Sequence, residues 1–206
     1  MLGFDPSMVP IRAKDGSLQY DITVHSSQGT HQVYRTIGVL FDGGSKVLLG
    51  RGTRVWEAMR LDDSGQAIGE SVALKDCWVD SFREREGDIT TRIRQSATTL
   101  DDEDRTKLGE MLLEIVGHGD VHVGGNPDRT QRSPTGPHIC SSPSCDHPAP
   151  ADDDPECDDK DQVHYRIVYA EVGQPLQDET SLLAIYKALM DACAGMCSVR
   201  KLCLIF

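Results

Sequence analysis

A stretch typical of a β-strand runs directly into one typical of an α-helix, and this order most constrains the fold. The apolar run ESVALKDCWV has the composition of a strand, and LDDSGQAIG before it supplies Asp, Ser and Gly for a polar turn. Side chains alternate along a strand, so Ala73 and Lys75 share one face, and Val72 and Leu74 share the other. The sequence therefore predicts a sheet with a helix beside it.

The next segment, DSFREREGDITTRIRQ, predicts an amphipathic helix. Ser81 and Glu84 have the spacing of a capping box, with Ser81 as the N-cap. Four residues at helical spacing form its inner stripe: Phe82, Glu86, Ile89 and Ile93. A carboxylate within an apolar stripe is costly unless a cation meets it, and Lys75 is the obvious candidate. Two alternatives stay open, in which Lys75 lies at a solvated sheet edge or Glu86 at the solvated border of the stripe.

Upstream, the stretch LLGRGTRVWEA places Gly50 and Gly52 between two apolar segments. Glycine accepts positive φ and lets a ligand approach bare amides, so a tight hairpin and a phosphate-covering loop are both consistent with it. The runs YDITVHS, QVYRTIGVLF and SKVLLG are short and separated by polar clusters, which predicts antiparallel strands. The first half of the chain is expected to be rich in β structure.

These elements follow the order of a protein-kinase N-terminal lobe, where a glycine-rich loop covers the ATP phosphates and a strand lysine pairs with a helix carboxylate. More narrowly, GRGTRVW, VALKDCWVD, EREGDI and YRIVYAEVGQPL resemble the fungus-specific protein kinase family over roughly residues 48–193. The resemblance implies an α+β fold with an antiparallel sheet and the helix called C in kinases. It also implies ATP with Mg²⁺ as cofactor and phosphorylation of protein Ser or Thr.

The same resemblance implies roles for individual residues. Lys75 would contact phosphate and Glu86 would pair with it, which makes these two the candidate catalytic residues. The candidate nucleotide-binding residues lie in the loop, on the strands and at the hinge that holds adenine by backbone hydrogen bonds: Gly50, Gly52, Val55, Ala73, Glu171 and Val172.

The parts needed for phosphoryl transfer cannot be located. Transfer requires a base for the acceptor hydroxyl and carboxylates for Mg²⁺, yet the sequence has no His-Arg-Asp and no Asp-Phe-Gly motif. The third loop glycine of kinases is also missing, since Thr53 and Arg54 lead directly to Val55. We therefore expect a kinase homologue truncated before the catalytic loop, inactive alone and without metal ligands. The alternative is a non-catalytic acidic interaction module that keeps the fold.

Two further segments precede residue 126. In LDDEDRTKLGEMLLEIVGHG, helical spacing predicts a second helix ended by Gly117, with an apolar face formed by Leu108, Met111, Leu112, Ile115 and Val116. HGDVHVGGN resembles the catalytic loop of aminoglycoside-type phosphotransferases, in which Asp120 would accept a hydroxyl proton. The spacing from Asp120 to Asn126 is one residue too long, so DVHV is predicted to be a strand. A small-molecule phosphotransferase using Asp120 stays a weaker alternative, and His118, Asp120 and His122 are a weak metal candidate.

Residues 126–162 divide the chain. Seven of the ten prolines and the acidic run ADDDPECDDKD lie here, which predicts a disordered insert. Its cysteines and histidines raise the question of zinc, but their spacing matches no common knuckle: His138, Cys140, Cys145, His147 and Cys157. The predicted parts are an N-terminal extension at 1–35, a lobe at 36–125, the insert, and a last strand, hinge and amphipathic helix at 163–206.

Composition excludes several classes of partner. With 33 acidic and 21 basic residues, the net charge of −12 disfavours binding to a nucleic-acid backbone. No apolar run approaches the ~20 residues of a membrane span, and the N-terminus does not resemble a signal peptide. Seven cysteines without framework spacing fit a reducing compartment. The expected protein is intracellular, with ATP and a protein as partners and no nucleic acid or membrane.

Overall fold

The computed structural model describes residues 5–26, 29–43, 51–130, 161–174 and 176–203, with residues 177 and 197–203 as backbone only. These residues form nine strands and three helices. The strands are β1 Met8–Arg12, β2 Leu18–His25, β3 His31–Asp42, β4 Arg54–Leu61, β5 Ala67–Asp80, β6 Ile115–Asp120, β7 His122–Val123, β8 Asn126–Pro127 and β9 Gln162–Tyr169. The helices are α1 Glu86–Ser96, α2 Asp102–Met111 and α3 Leu182–Cys203.

Seven strands form one sheet in the order β1-β2-β3-β4-β5-β9-β6, with every neighbouring pair antiparallel. The β4–β5 turn follows the predicted chemistry, because the Asp62 carboxylate accepts the backbone N–H groups of Ser64 and Gln66, each at 2.9 Å. The expected antiparallel sheet with helices is therefore present. The run SKVLLG lies outside the described residues, and so does most of the insert.

The two faces of the sheet differ. One face, called here the outer face, carries the larger apolar core: Ile22, Val24, Tyr34, Trp56, Ala58, Val72, Leu74 and Val168. Strand β2 curls over this face, so that the guanidinium of Arg166 on β9 donates to the carbonyl of Thr23 at 2.8 Å. The opposite, inner face carries Cys77, Tyr165 and Ile167 in a smaller cluster. The predicted boundary between the N-terminal extension and the lobe, at residues 35 and 36, falls inside strand β3.

Helix α1 begins at Glu86, so the predicted start at Ser81 is wrong. Strand β5 pairs with β9 as far as Asp80, and the Ser81 N–H then donates to the carbonyl of Asp161 at 2.8 Å. The N-cap residue is Arg85, whose side chain makes no capping hydrogen bond. Glu84 binds Arg92 at 2.7 Å on the outside of the helix. Phe82 precedes the helix and is exposed, so it is no part of the inner stripe.

Helix α2 is shorter than its apolar pattern predicts. It has Asp101 as its N-cap and a buried Leu108, but it ends at Met111. Ile115, Val116 and Gly117 lie in strand β6, in which Ile115 and Gly117 pair with β9 and Val116 lies at an irregularity between them. The predicted C-cap at Gly117 is therefore wrong. None of the described helices has both the length and the apolarity needed to cross a membrane.

Candidate functional site

The centre of the site is an ion pair between Lys75 and Glu86. Lys75 lies on β5, flanked by its cross-strand neighbours Val55 and Ile167, and Glu86 is the first residue of α1. The Lys75 Nζ lies 2.5 Å from Glu86 Oε2, with the two side chains 26% and 46% exposed. The pair therefore lies on the inner face and is partly exposed to solvent.

The second oxygen of Glu86 is also engaged. The hydroxyl of Tyr169, the last residue of β9, donates to Glu86 Oε1. Burial raises the pKa of Glu86, but hydrogen bonds from Lys75 and Tyr169 outweigh it, so the pKa lies below its ordinary value. The charge of Arg51 acts in the same direction. The carboxylate is thus held ionised and fixed at both oxygens.

The end of the glycine loop rests on strand β5. The Trp78 N–H donates to the carbonyl of Arg51 at 2.8 Å, and Gly52 has φ +49°, a conformation in which an L side chain is strained. Gly50 lies outside the described residues. Val55 stands on the inner face beside Lys75, and Ala73 is buried on the same face, paired with Tyr169.

The candidate hinge leaves the sheet directly after Tyr169. The Ala170 N–H donates to the carbonyl of Glu114 at 2.9 Å, and the Glu171 carboxylate accepts the Glu114 N–H at 2.9 Å. Glu171 thereby ties the hinge to the residue before β6. Val172 is half-buried next to it.

Asp120 is held in an ion pair rather than presented as a base. Its two carboxylate oxygens accept from Arg85 Nε at 2.7 Å and Nη2 at 3.1 Å. His118 Nε2 lies 3.9 Å from Asp88 Oδ1, and the His122 ring packs on His25. His122 Nδ1 contacts the backbone carbonyl of Asp120 at 2.9 Å, not its carboxylate. Within the described ranges, no group of three His, Cys, Asp or Glu residues is placed to hold a metal ion. The candidate zinc ligands of the insert lie outside those ranges.

Two residues at the site were not found by sequence reasoning. Tyr169 contacts Glu86, and the signal for it was alternation in HYRIVY, which puts Tyr165, Ile167 and Tyr169 on one face. Arg51, between the two glycines, adds a cation whose charge reaches Glu86. The signal for Arg51 was a basic residue inside a candidate phosphate loop.

The strand lysine, the helix carboxylate and the glycine loop occur in the chain order of a kinase-type nucleotide site. The family model described as fungal protein kinase matches residues 1–204, nearly the whole chain. The chain therefore belongs to the fungal protein kinase family. Searches of curated proteins and of solved structures gave no significant match.

Proposed function

We propose that this chain binds ATP on the inner face of its sheet, as the N-terminal lobe of a fungal-type protein kinase. The observation that carries the proposal is the half-exposed pair of Lys75 and Glu86, whose atoms lie 2.5 Å apart. Family membership supports it, because kinases of this type phosphorylate proteins with ATP and use such a pair to hold the α- and β-phosphates.

The chemistry of the pair fits a phosphate ligand. A lysine ammonium has three donors, and Glu86 takes one of them, which leaves the others for phosphate oxygens on the open side. Tyr169 fixes the carboxylate, and the carboxylate in turn orients the ammonium. Val55 and Ala73 supply apolar surface for adenine beside it.

The chain alone is proposed to bind ATP without transferring phosphate. Transfer needs a base near the acceptor hydroxyl and carboxylates that hold Mg²⁺, and the sequence has neither motif. Asp120 does not substitute, because Arg85 binds both of its oxygens. In the part of the chain that the structure describes, no residue group is arranged for Mg²⁺, so no metal ligand is proposed.

Calorimetric titration of ATP into the full chain tests the binding. Lys75→Met removes the fixed cation and should weaken binding at least tenfold. Lys107→Met is the matched control, because Lys107 also pairs with a glutamate at 2.5 Å, Glu103, but on the exposed face of α2. It should leave binding unchanged. Failure of the wild-type chain to bind ATP would favour the acidic interaction module instead.

A phosphorylation assay tests the second half of the proposal. The chain with Mg²⁺ and radiolabelled ATP should modify neither itself nor a generic protein substrate above the Lys75→Met background. Activity that survives Lys75→Met and disappears in Asp120→Asn would contradict the proposal and support a phosphotransferase that uses Asp120.

A further inference from the structure

Helix α1 has few means of its own to stay in place. It has 11 residues, and helices this short are marginal in isolation. Gly87 is its one buried residue, and its N-cap residue, Arg85, makes no capping hydrogen bond through its side chain. Ile93, near the end of the helix, packs against the cluster of Ala97 and Leu108. This contact does not reach the first turn, so polar contacts from the sheet must contribute there.

The first such contact comes from Tyr165 on β9. Its side chain is fully buried, and its hydroxyl accepts the N–H of Gly87 at 3.0 Å. The first four N–H groups of a helix lack intrahelical partners, and a capping side chain normally satisfies one of them. Burial raises the pKa of Tyr165, so the hydroxyl stays neutral. A neighbouring strand thus performs the task that the missing cap would perform.

The second contact comes from Tyr169 on the same face of β9, four residues further on. Its hydroxyl donates to Glu86 Oε1 while Lys75 donates to Oε2. Burial and the adjacent carboxylate raise the pKa of Tyr169, so the group keeps its proton and acts as a donor. Without this hydroxyl, Lys75 alone would orient a carboxylate that is half exposed.

Other contacts hold the start of α1 but do not reach the carboxylate. Arg85, just before the helix, binds Asp120. Gly87 lets the helix lie close to β6, because a Cβ there would come within 2.2 Å of the His118 ring. These contacts therefore cannot replace the two tyrosines, of which Tyr169 binds the Glu86 carboxylate and Tyr165 binds the backbone of the next residue.

We infer that Tyr165 and Tyr169 are positioning residues that hold α1 against β9, with Glu86 on Lys75, before any nucleotide binds. In protein kinases this ion pair must be in place for catalysis and is commonly controlled through the position of the helix. In this chain the position of the helix is set by two tyrosines of the sheet. The relevance of this positioning to ATP binding rests on the proposed function. The mechanical claim, that the two tyrosines hold α1 in place, does not depend on it.

Hydrogen exchange on the nucleotide-free full chain tests the mechanical claim. Tyr165→Phe keeps the ring and removes the hydroxyl, so amides in the first turn of α1 should exchange at least threefold faster. Tyr186→Phe, on the exposed face of α3, is the control and should change nothing in α1. Unchanged exchange in Tyr165→Phe would overturn the inference, whatever the result with ATP.

ATP titration tests the link to the site. Tyr169→Phe should weaken ATP binding about threefold to tenfold in the wild-type chain and have no effect in a Glu86→Gln background. An equal loss in both backgrounds would show that Tyr169 acts on nucleotide directly, and would overturn its role through Glu86. If the wild-type chain binds no ATP, the proposed function fails. The inference can still be tested, by measuring hydrogen exchange of the α1 amides in Tyr169→Phe. Unchanged exchange there would also overturn it.

Discussion

Two consecutive residues of β5, Lys75 and Asp76, point to opposite faces of the sheet. Each forms an ion pair, and the two pairs differ in how deeply they are buried. On the inner face, Lys75 meets one carboxylate, and both side chains remain partly exposed. On the outer face, Asp76 Oδ1 accepts from Arg166 Nε at 2.8 Å and contacts His164 Nε2 at 2.7 Å. The side chains of Asp76 and Arg166 are 6% and 0% exposed.

The outer network uses four of the five N–H donors of Arg166, whereas the inner pair uses one of the three donors of Lys75. Arg166 also donates to Ser7 Oγ at 2.7 Å and to the Thr23 carbonyl at 2.8 Å, and it pairs with Asp5. It therefore joins the N-terminal strands to β9. A fully buried charge with most of its donors used has a structural role, while a partly exposed charge with donors left over can bind a ligand.

The largest expected effect follows from breaking the outer network. Arg166→Met should cost about 3–5 kcal/mol of unfolding free energy, because it removes the guanidinium from the buried Asp76 carboxylate and from the partly exposed Asp5 carboxylate. Arg35→Met is the control, since Arg35 also forms two hydrogen bonds to a carboxylate, that of Asp21, but its side chain is 30% exposed, so its loss should cost about 1 kcal/mol or less. Urea denaturation measures both. Equal losses would contradict a special role for the outer network.

The loss of unfolding free energy in Arg166→Met should depend on pH, which tests the role of the outer network further. Burial opposes ionisation of Asp76, but His164 and Arg166 outweigh it and lower its pKa, so its stabilising contribution is present at neutral pH and is lost as the pH falls. Removing Arg166 leaves His164 as the only one of these two groups that offsets burial, so the pKa of Asp76 rises. The difference in stability between wild type and Arg166→Met should therefore shrink between pH 7 and about pH 4. A difference that grows on acidification would refute this account.

Local signals in the sequence predicted the sheet, and tertiary pairing decided where the elements end. The turn residues between β4 and β5 and the alternation along β5 are properties of adjacent residues, and both predictions agree with the structure. The capping-box spacing of Ser81 is equally local. It was overruled because Ser81 pairs with Asp161, 80 positions away along the chain.

The site residues also fall into those that local sequence signals indicated and those that depend on tertiary pairing. The order of strand, lysine and helix carboxylate was sufficient to suggest that Lys75 and Glu86 meet, and they lie 2.5 Å apart. Alternation in HYRIVY indicates the face on which Tyr169 lies, but its contact with Glu86 also depends on the register that sets Tyr169 opposite Ala73, which adjacent residues do not encode. Arg166 gave no signal either, since a single arginine within an apolar strand does not indicate which distant carboxylates it will meet.

A smaller effect is expected where α1 approaches the sheet most closely. Gly87→Ala would place a Cβ 2.2 Å from the His118 ring, so the helix or the ring must move, at a cost of about 1–3 kcal/mol. Gly109→Ala in α2 is the matched control, because a Cβ there meets nothing within 4 Å. It should be neutral or stabilise by up to about 1 kcal/mol. Thermal denaturation separates the two, and a harmless Gly87→Ala would show that α1 is held loosely.

The smallest effect on stability is expected at the inner pair itself. Lys75→Met should change the unfolding free energy by about 1 kcal/mol or less, because partly exposed ion pairs contribute little and the methionine chain keeps the apolar contact of the lysine stem. Lys107→Met, at the exposed pair on α2, should behave alike in urea denaturation. The two variants should then separate in ATP binding, which only Lys75→Met weakens. A loss at Lys75 as large as that at Arg166 would instead mean that both faces of β5 serve stability, and the contrast between a structural and a ligand-binding charge would fail.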